Sequence, residues 1–293
     1  MSWLAVFLTH KLGFVMGSEH LPYRIIEHFA VGGVANLCKV RMADGTVALR
    51  REMQTSKLFR LCVRKRFIAG IQHRLALSPH PNIQNSLGVG SHFFRPYELI
   101  EYIDGTSLRS MLTLNDYRIK EQTGLIILQV AKALSWVHEH HLMHLDVKPE
   151  NFLVQRNSNV IEVKLMDFDM TREATDNGPY RQMGTPAFMA PEQFIDKLAF
   201  QASDVFAFGL IAYQLLTGRM PFGGKTEKKL WRNQASSTVK PRAVRDLNPA
   251  VSPQLEFIVM RCLEKKMGDR YRDMCQVLQA LNRLGPGMGL TLP

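Results

Sequence analysis

The sequence has few cysteines and no long apolar segment. Its four cysteines form no Cys-x-x-Cys pair, which argues against a disulfide framework or a zinc ribbon and fits a reducing compartment. No apolar run approaches the ~20 residues that a membrane-spanning helix needs. The first eight residues are apolar apart from Ser2, but they lack a basic start and a clear cleavage site, so they do not predict a signal peptide. We therefore expect a cytoplasmic protein without a membrane span.

The composition is that of an ordinary globular chain. It has 293 residues, of which 46% are hydrophobic and 22% charged, enough for one large domain with a sizeable core. Residues 1–22 are predicted to be an N-terminal extension, and Met16 is an alternative start. Residues 23–284 are predicted to form one domain, with residues 285–293 as a tail.

Acidic residues are missing from a long stretch of the first half. No Asp or Glu lies between Glu52 and Glu98, whereas ten Lys and Arg residues lie between Lys39 and Arg74, and the net charge is +11. Two interpretations stay open for this stretch: a solvated helix face, or a surface for an acidic protein partner. We do not expect a nucleic-acid partner.

The most informative stretch is His144–Asn151, which reads HLDVKPEN. It places a carboxylate, a cation and an amide at Asp146, Lys148 and Asn151, and its proline indicates a rigid loop rather than a helix. A second acidic turn, residues 167–169, reads Asp-Phe-Asp. Phosphoryl transfer needs a carboxylate to orient the attacking hydroxyl, a cation near the phosphate, and an amide with a carboxylate to hold magnesium. The two loops supply this set.

These motifs resemble those of the protein kinase family, specifically its bacterial-type (Hanks-type) Ser/Thr branch. Two further stretches follow in the family's order: residues 184–192, GTPAFMAPE, and residues 204–209, DVFAFG. The resemblance implies an α+β, two-lobed kinase-like fold over residues 23–284. It has a small, mainly antiparallel lobe with one main helix (23–100), a hinge (101–105) and a larger, mainly helical lobe (106–284).

The resemblance also implies the site. Asp146 would orient the substrate hydroxyl, Lys148 would steady the γ-phosphate of ATP, and Asn151 with Asp167 would hold Mg²⁺. The residues expected to contact the nucleotide are Gly32, Gly33, Leu37, Ala48, Arg50, Glu101, Ile103 and Leu153. Lys148 and Thr185 favour a protein substrate with a serine or threonine hydroxyl.

The part that anchors ATP departs from the family pattern. Ala30 and Ala35 stand at two of the three glycine positions of the phosphate-covering loop, and their Cβ atoms limit close backbone approach to phosphate. Arg50 aligns with the lysine that grips the α- and β-phosphates, and Gly70 aligns with the glutamate that orients it. Two functions therefore stay open: a Ser/Thr kinase of low or atypical activity, or a pseudokinase that serves as a nucleotide-binding or protein-binding scaffold.

The resemblance makes three further predictions about the helical lobe. Asp204 should brace the catalytic loop, and Glu192 should pair with Arg270. Leu145 replaces the arginine that reads an activation-segment phosphate in most family members. We therefore expect packing, rather than phosphorylation at Thr171, Thr175 or Tyr180, to order that segment.

Overall fold

The computed structural model describes residues 23–157, 160–176, 178–179, 186–224 and 226–285. It divides into two compact units, one ending at Asp104 and including Phe168–Met170, the other formed by Gly105–Asp167 and the chain from Thr171 onward. The predicted extension, Tyr180, Thr185 and nearly all of the predicted tail lie outside the described residues.

The first unit is an antiparallel sheet with one helix packed on it. Its five strands are ordered β1-β2-β3-β5-β4. The elements are β1 (Tyr23–Val31), β2 (Ala35–Met42), β3 (Val47–Met53), a 3₁₀ turn (Thr55–Lys57), α1 (Leu61–Leu77), β4 (Ser86–His92) and β5 (Arg95–Glu101). An Asp-Gly turn joins β2 to β3, where the Asp44 carboxylate accepts from the Thr46 N–H at 2.8 Å and Gly45 has φ +87°. The 3₁₀ turn precedes α1, which begins at Leu61.

Alternation along β3 decides which side chains face α1. Successive residues of a strand point to opposite faces. Met53 packs with Ala35 and with Phe67 and Ile71 of α1, which defines the helix face of the sheet. Ala48 packs with Cys38, Val40, Tyr97 and Leu99 on the other side, the far face. Arg51, two residues before Met53, therefore belongs to the helix face, and Arg50 belongs to the far face.

The second unit is mainly helical. Its helices are α2 (Leu108–Thr113), α3 (Tyr117–Glu139), α4 (Pro191–Ile195), α5 (Gln201–Thr217), α6 (Glu227–Ala235), α7 (Pro253–Cys262) and α8 (Met274–Asn282). Its strands are β6 (Thr106–Ser107), β7 (Leu142–Met143), β8 (Phe152–Asn157), β9 (Val160–Leu165) and β10 (Arg172–Glu173), paired as β6-β8-β9 and β7-β10.

Helix α5 is the centre of this unit's core. It packs against α3, α7 and α8, and nearly all of its residues are buried, as its continuous apolar sequence predicts. It ends at Gly218, whose φ of +70° is the left-handed conformation that a glycine adopts without strain. Among the helices of the described residues, none has the length and apolar character needed to cross a membrane.

Candidate functional site

The loop after β7 brings three predicted residues together. Lys148 Nζ donates to both carboxylate oxygens of Asp146, at 2.9 and 2.7 Å. Asn151 Nδ2 donates to the Asp146 carboxylate and to its backbone oxygen, both at 2.8 Å. The 3₁₀ turn Pro149–Asn151 sets this geometry by folding Asn151 back toward the aspartate. A carboxylate, a cation and an amide are thus held in one hydrogen-bonded loop.

Burial shapes the electrostatics of this loop. It raises the pKa of the Asp146 carboxyl above its ordinary value, and the hydrogen bonds from Lys148 and Asn151 act in the opposite direction. Burial also lowers the pKa of His144, although the nearby carboxylates of Asp204, Asp146 and Asp167 act against it. Burial therefore favours the neutral form of the His144 imidazole.

Asp204 braces the loop from α5, as predicted. Its buried carboxylate accepts from the backbone N–H groups of His144 at 2.7 Å and Leu145 at 2.8 Å, and from His138 Nε2 at 3.1 Å. Leu145 has φ +63°, a conformation that is costly for a leucine, and the bonds to Asp204 flank it. The loop that carries Asp146 is therefore fixed by α5 rather than by its own sequence alone.

The predicted pair of Glu192 and Arg270 is also present. It is bidentate and buried, with Arg270 Nη1 at 2.9 Å from Glu192 Oε1 and Nη2 at 2.8 Å from Oε2. Ser203 donates a further hydrogen bond to the same carboxylate at 2.7 Å. The pair joins α4 to the chain between α7 and α8.

Leu145 lies in an apolar cluster next to this loop. It is 6% exposed and packs with Met143 and Met189, against which Ala174, Phe194 and Ala199 also pack. Two of these residues, Ala174 and Met189, belong to the chain between the Asp-Phe-Asp turn and α4. An apolar contact thus occupies the position where the family has an arginine.

The acidic turn follows β9. Asp167 has φ +62°, and the preceding Met166 N–H donates to the backbone oxygen of Asn151 at 2.9 Å. Because the Asn151 nitrogen is bonded to Asp146, its side-chain oxygen is the end of the amide that remains for a cation. An amide oxygen and a carboxylate are the hard donors that Mg²⁺ takes. The residue types at these two positions therefore fit a magnesium ion.

Arg50 does not lie on the face that the sequence interpretation required. Its Nη2 is 2.9 Å from Glu52 Oε1, and its guanidinium lies over the rings of Tyr97 at 4.7 Å and Tyr23 at 5.9 Å. It is buried on the far face beside Ala48. Leu37, which was expected to contact the nucleotide together with Arg50 and Ala48, lies on the helix face instead.

This arrangement corrects the expectation for Arg50 and Ala48. Leu37 is paired with Arg51 in the sheet, and the helix face of β3 carries Leu49 and Arg51 instead. A shift of one residue along a strand moves every side chain to the opposite face. The sequence contains two adjacent arginines, and its motif alignment favoured the first.

Arg51 is the functional candidate that sequence reasoning missed. Its Nη1 is 2.9 Å from Glu98 Oε1, and its Nη2 pairs with the carboxylate of Asp169. The guanidinium also lies 4.5 Å over the ring of Phe67 from α1. The fully buried Glu98 accepts in turn from Arg74 Nε at 3.1 Å. Two features of the sequence could have indicated Arg51. One is the alternation of side chains along β3, and the other is the aspartate at position 169, where the family has glycine.

Gly70 lies directly against Asp169. A Cβ atom added at Gly70 would be 2.6 Å from Asp169 Oδ1 and 3.1 Å from its Cα. The helix position where the family pattern expects a glutamate is therefore filled by a carboxylate that comes from the Asp-Phe-Asp turn.

The two predicted glycines lie in the turn between β1 and β2. Gly32 N–H donates to Ala35 O at 2.9 Å, and Gly32 O accepts from Gln54 Nε2 at 2.6 Å. Both Gly32 and Gly33 are exposed, and the space around Gly33 is open. The turn is thus held by one hydrogen bond of its own and by one from the side chain of Gln54, which follows β3.

The remaining predicted nucleotide contacts lie at strand ends. Glu101 ends β5, where its N–H donates to Asn85 O at 2.9 Å and its carbonyl accepts from Gln84 Nε2 at 3.0 Å. Ile103 is buried two residues later. Leu153 is half-buried on β8 of the second unit. Their roles in nucleotide binding stay predictions.

The chain matches the model of the protein kinase domain over residues 31–281. It therefore belongs to the protein kinase family, which confirms the predicted α+β kinase fold class.

Its relatives include bacterial serine/threonine-protein kinases. The chain is 35% identical to serine/threonine-protein kinase Pkn1 of Myxococcus xanthus over 208 residues, 69% of this chain and 29% of Pkn1. It is 27% identical to the probable serine/threonine-protein kinase PknB of Lactococcus lactis over 265 residues, 87% of this chain and 41% of that protein. It is 28% identical to PrkC of Bacillus subtilis over 257 residues, 85% of this chain and 38% of PrkC. The matches thus cover less than half the length of each of these relatives.

Proposed function

We propose that this protein is a Ser/Thr protein kinase that transfers the γ-phosphate of ATP to a protein hydroxyl, with low or atypical activity. The observation that carries the proposal is the loop in which Asp146, Lys148 and Asn151 hydrogen-bond to one another, braced by Asp204. Together with Asp167 of the acidic turn, its residues supply the set that phosphoryl transfer needs.

Each of these side chains has a role that its contacts support. Asp146 accepts the hydrogen bond of the substrate hydroxyl and orients its oxygen toward the phosphorus. Lys148, 2.7 Å from Asp146 Oδ2, places a positive charge beside the attacking oxygen. Asn151 and Asp167 would hold Mg²⁺, which when bound neutralises charge on the phosphates of ATP.

The part of the nucleotide site that contacts adenine is proposed with one change from the motif alignment. Leu49 replaces Ala48 as the partner of Leu37, because both leucines lie on the helix face of the sheet. Glu101 and Ile103 would offer backbone groups to adenine, and the resemblance adds Leu153. Ala30 and Ala35 restrict the covering turn, which is our reason to expect weak nucleotide binding and low turnover.

The alternative is a pseudokinase scaffold, and the same two alanines favour it. An acidic protein partner also remains a proposal. Arg60 and Lys65 are exposed at the start of α1, whereas Arg50, Arg51 and Arg74 of the same basic stretch are held in ion pairs. The accessible basic surface is therefore smaller than the sequence count indicates.

The test is transfer of ³²P from [γ-³²P]ATP to a mixture of protein substrates, comparing the parent with Asp146→Asn. We expect magnesium-dependent label on serine or threonine that Asp146→Asn reduces at least a hundredfold, with ATP binding retained. Equal labelling by both proteins would exclude Asp146 from the chemistry. Magnesium-dependent ATP binding by the parent with no transfer would support the scaffold instead.

A further inference from the structure

Arg51 is held by two carboxylates at once within the first unit. Its two terminal nitrogens point to different acids, Nη1 to Glu98 and Nη2 to Asp169. The side chains of Arg51 and Asp169 are only 13% and 20% exposed, and that of Glu98 is fully buried. The guanidinium is thus fixed in direction by groups that are themselves shielded from water.

The two acids are not equivalent. Glu98 also accepts from the buried Arg74, which lies over the ring of Phe168 at 5.0 Å. Charges therefore alternate along the series Arg74, Glu98, Arg51, Asp169. The Glu98 charge is shared between two arginines, so Asp169 supplies the second negative charge that balances the series.

The room for Asp169 depends on Gly70. An atom at the Cβ position of Gly70 would be 2.6 Å from the Asp169 carboxylate, well inside contact distance. A glutamate on α1 at this position and an aspartate at 169 therefore cannot both be accommodated without rearrangement. The absence of a side chain at position 70 and the presence of an aspartate at position 169 are thus sterically complementary.

We propose, on the basis of the kinase function above, that Arg51 is the cation that contacts the phosphates of ATP and that Asp169 is the residue that positions it. The acid that orients the cation is a glutamate on the helix in the family pattern, and here it is Asp169 in the turn. An ion pair between a β3 cation and a helix acid is a general requirement of kinase chemistry. Here the Arg51–Asp169 pair performs the same task.

The choice of arginine follows from this arrangement. A guanidinium presents donors in two directions from one rigid plane, whereas a lysine ammonium is a single point of charge. Arg51 can thus hold Glu98 and Asp169 together. Asp169 is two residues from Asp167 in the sequence. The acid that positions Arg51 therefore belongs to the turn that would hold magnesium, whereas the family pattern places this acid on α1.

The test moves the acid back to the helix. The variants are Asp169→Asn, Gly70→Glu and the double variant Gly70→Glu/Asp169→Gly, each assayed for Mg·ATP affinity by calorimetry and for KM(ATP) and kcat separately. Arg95→Met is the matched control, because it removes an ion-paired arginine from the first unit that bonds Glu52 instead of Asp169.

We expect Asp169→Asn to weaken Mg·ATP binding about tenfold and to raise KM(ATP) more than it lowers kcat. Gly70→Glu alone should weaken binding at least as much, whereas the double variant should return to within about threefold of the parent. Arg95→Met should leave ATP affinity unchanged. An unchanged affinity for Asp169→Asn, or a double variant no better than the worse single variant, would overturn the proposal.

Two controls separate a change in Mg·ATP affinity from a loss of folding and from a failure of the proposed kinase function. Thermal melting identifies variants that are not folded, and Arg51→Lys replaces Asp169→Asn if the latter fails, with the same expected loss of affinity. Calorimetry needs no turnover. A parent that binds Mg·ATP without transferring phosphate would contradict the kinase function while the binding comparison still decides the role of Asp169.

Discussion

Replacing Arg50 with methionine should lower the stability of the protein without weakening ATP binding. The side chain is buried on the far face, where it pairs with Glu52 and lies over Tyr97 and Tyr23. Methionine keeps the length of the apolar stem but removes the charge. The variant therefore separates a structural role for Arg50 from the phosphate-binding role that the motif alignment assigned to it.

The expected magnitude follows from what Arg50→Met removes and what remains. Removing one partner of a buried ion pair costs about 3–5 kcal/mol when the other charge is left unpaired, and a cation–π contact adds about 0.5–2 kcal/mol. Glu52 is not left with an uncompensated charge, because Arg95 Nη2 remains 3.2 Å from it. Burial of the methionine end offsets part of the loss, which leaves a net destabilisation of about 2 kcal/mol. For a chain of this size we expect the melting temperature to fall by about 4–8 °C.

The assay is differential scanning calorimetry together with KM(ATP), or the Kd of Mg·ATP if turnover is too low. Arg41→Met is the control, since this arginine on β2 is exposed and its contact to Gly45 O is long, at 3.4 Å. It should change stability by less than about 0.5 kcal/mol. A tenfold rise in KM(ATP) for Arg50→Met, with an unchanged melting temperature, would refute the placement of Arg50 on the structural face.

Three further predictions concern the second unit. Burial lowers the pKa of Lys265 to about 7, so the folded state binds fewer protons than the unfolded state between pH 7 and about 10.4. The melting temperature of the parent should therefore rise relative to Lys265→Met as the pH increases through this window, and a constant difference would contradict the shift. Leu145→Ala should lower the free energy of unfolding in denaturant by about 2–5 kcal/mol, because it leaves a cavity in the apolar cluster around Leu145. Thr175→Ala should leave kinase activity within twofold of the parent, because packing rather than phosphorylation orders the segment that contains it. Asp204→Asn should speed hydrogen exchange at the His144 and Leu145 amides at least tenfold, because an amide cannot accept from all three present donors; unchanged exchange would show that the loop is braced elsewhere.

The loop from Asp146 to Asn151 was predictable because its contacts are local. Asp146, Lys148 and Asn151 lie within six residues, and the proline between them fixes the turn that joins them. Their contacts therefore follow from spacing and from the shape of the turn. The brace from Asp204 was predictable only through the family resemblance, since nothing in the nearby sequence indicates which distant carboxylate accepts from the loop amides.

The anchoring residues of the first unit were not predictable in the same way. Arg50 and Arg51 are adjacent and have the same charge, so composition cannot tell which one faces α1. Strand pairing decides it, because Arg51 lies opposite Leu37 and Glu98 in the sheet. The acid that pairs with Arg51 is 118 residues away in sequence. A search limited to the expected helix position finds only Gly70.

The departures at positions 51, 70 and 169 have a different meaning together than separately. With Arg51 assigned as proposed above, the family pattern has a lysine at position 51, a glutamate at position 70 and a glycine at position 169. Each of the three changes, considered alone, indicates a damaged nucleotide site. In the folded first unit, the missing side chain of Gly70 makes room for Asp169, and the carboxylate of Asp169 pairs with the fork of Arg51. The ion pair of the family pattern is therefore replaced by another pair with the same charges. Because these changes offset one another, they cannot be counted as three independent losses, and the argument for a scaffold without turnover then depends on Ala30 and Ala35 alone.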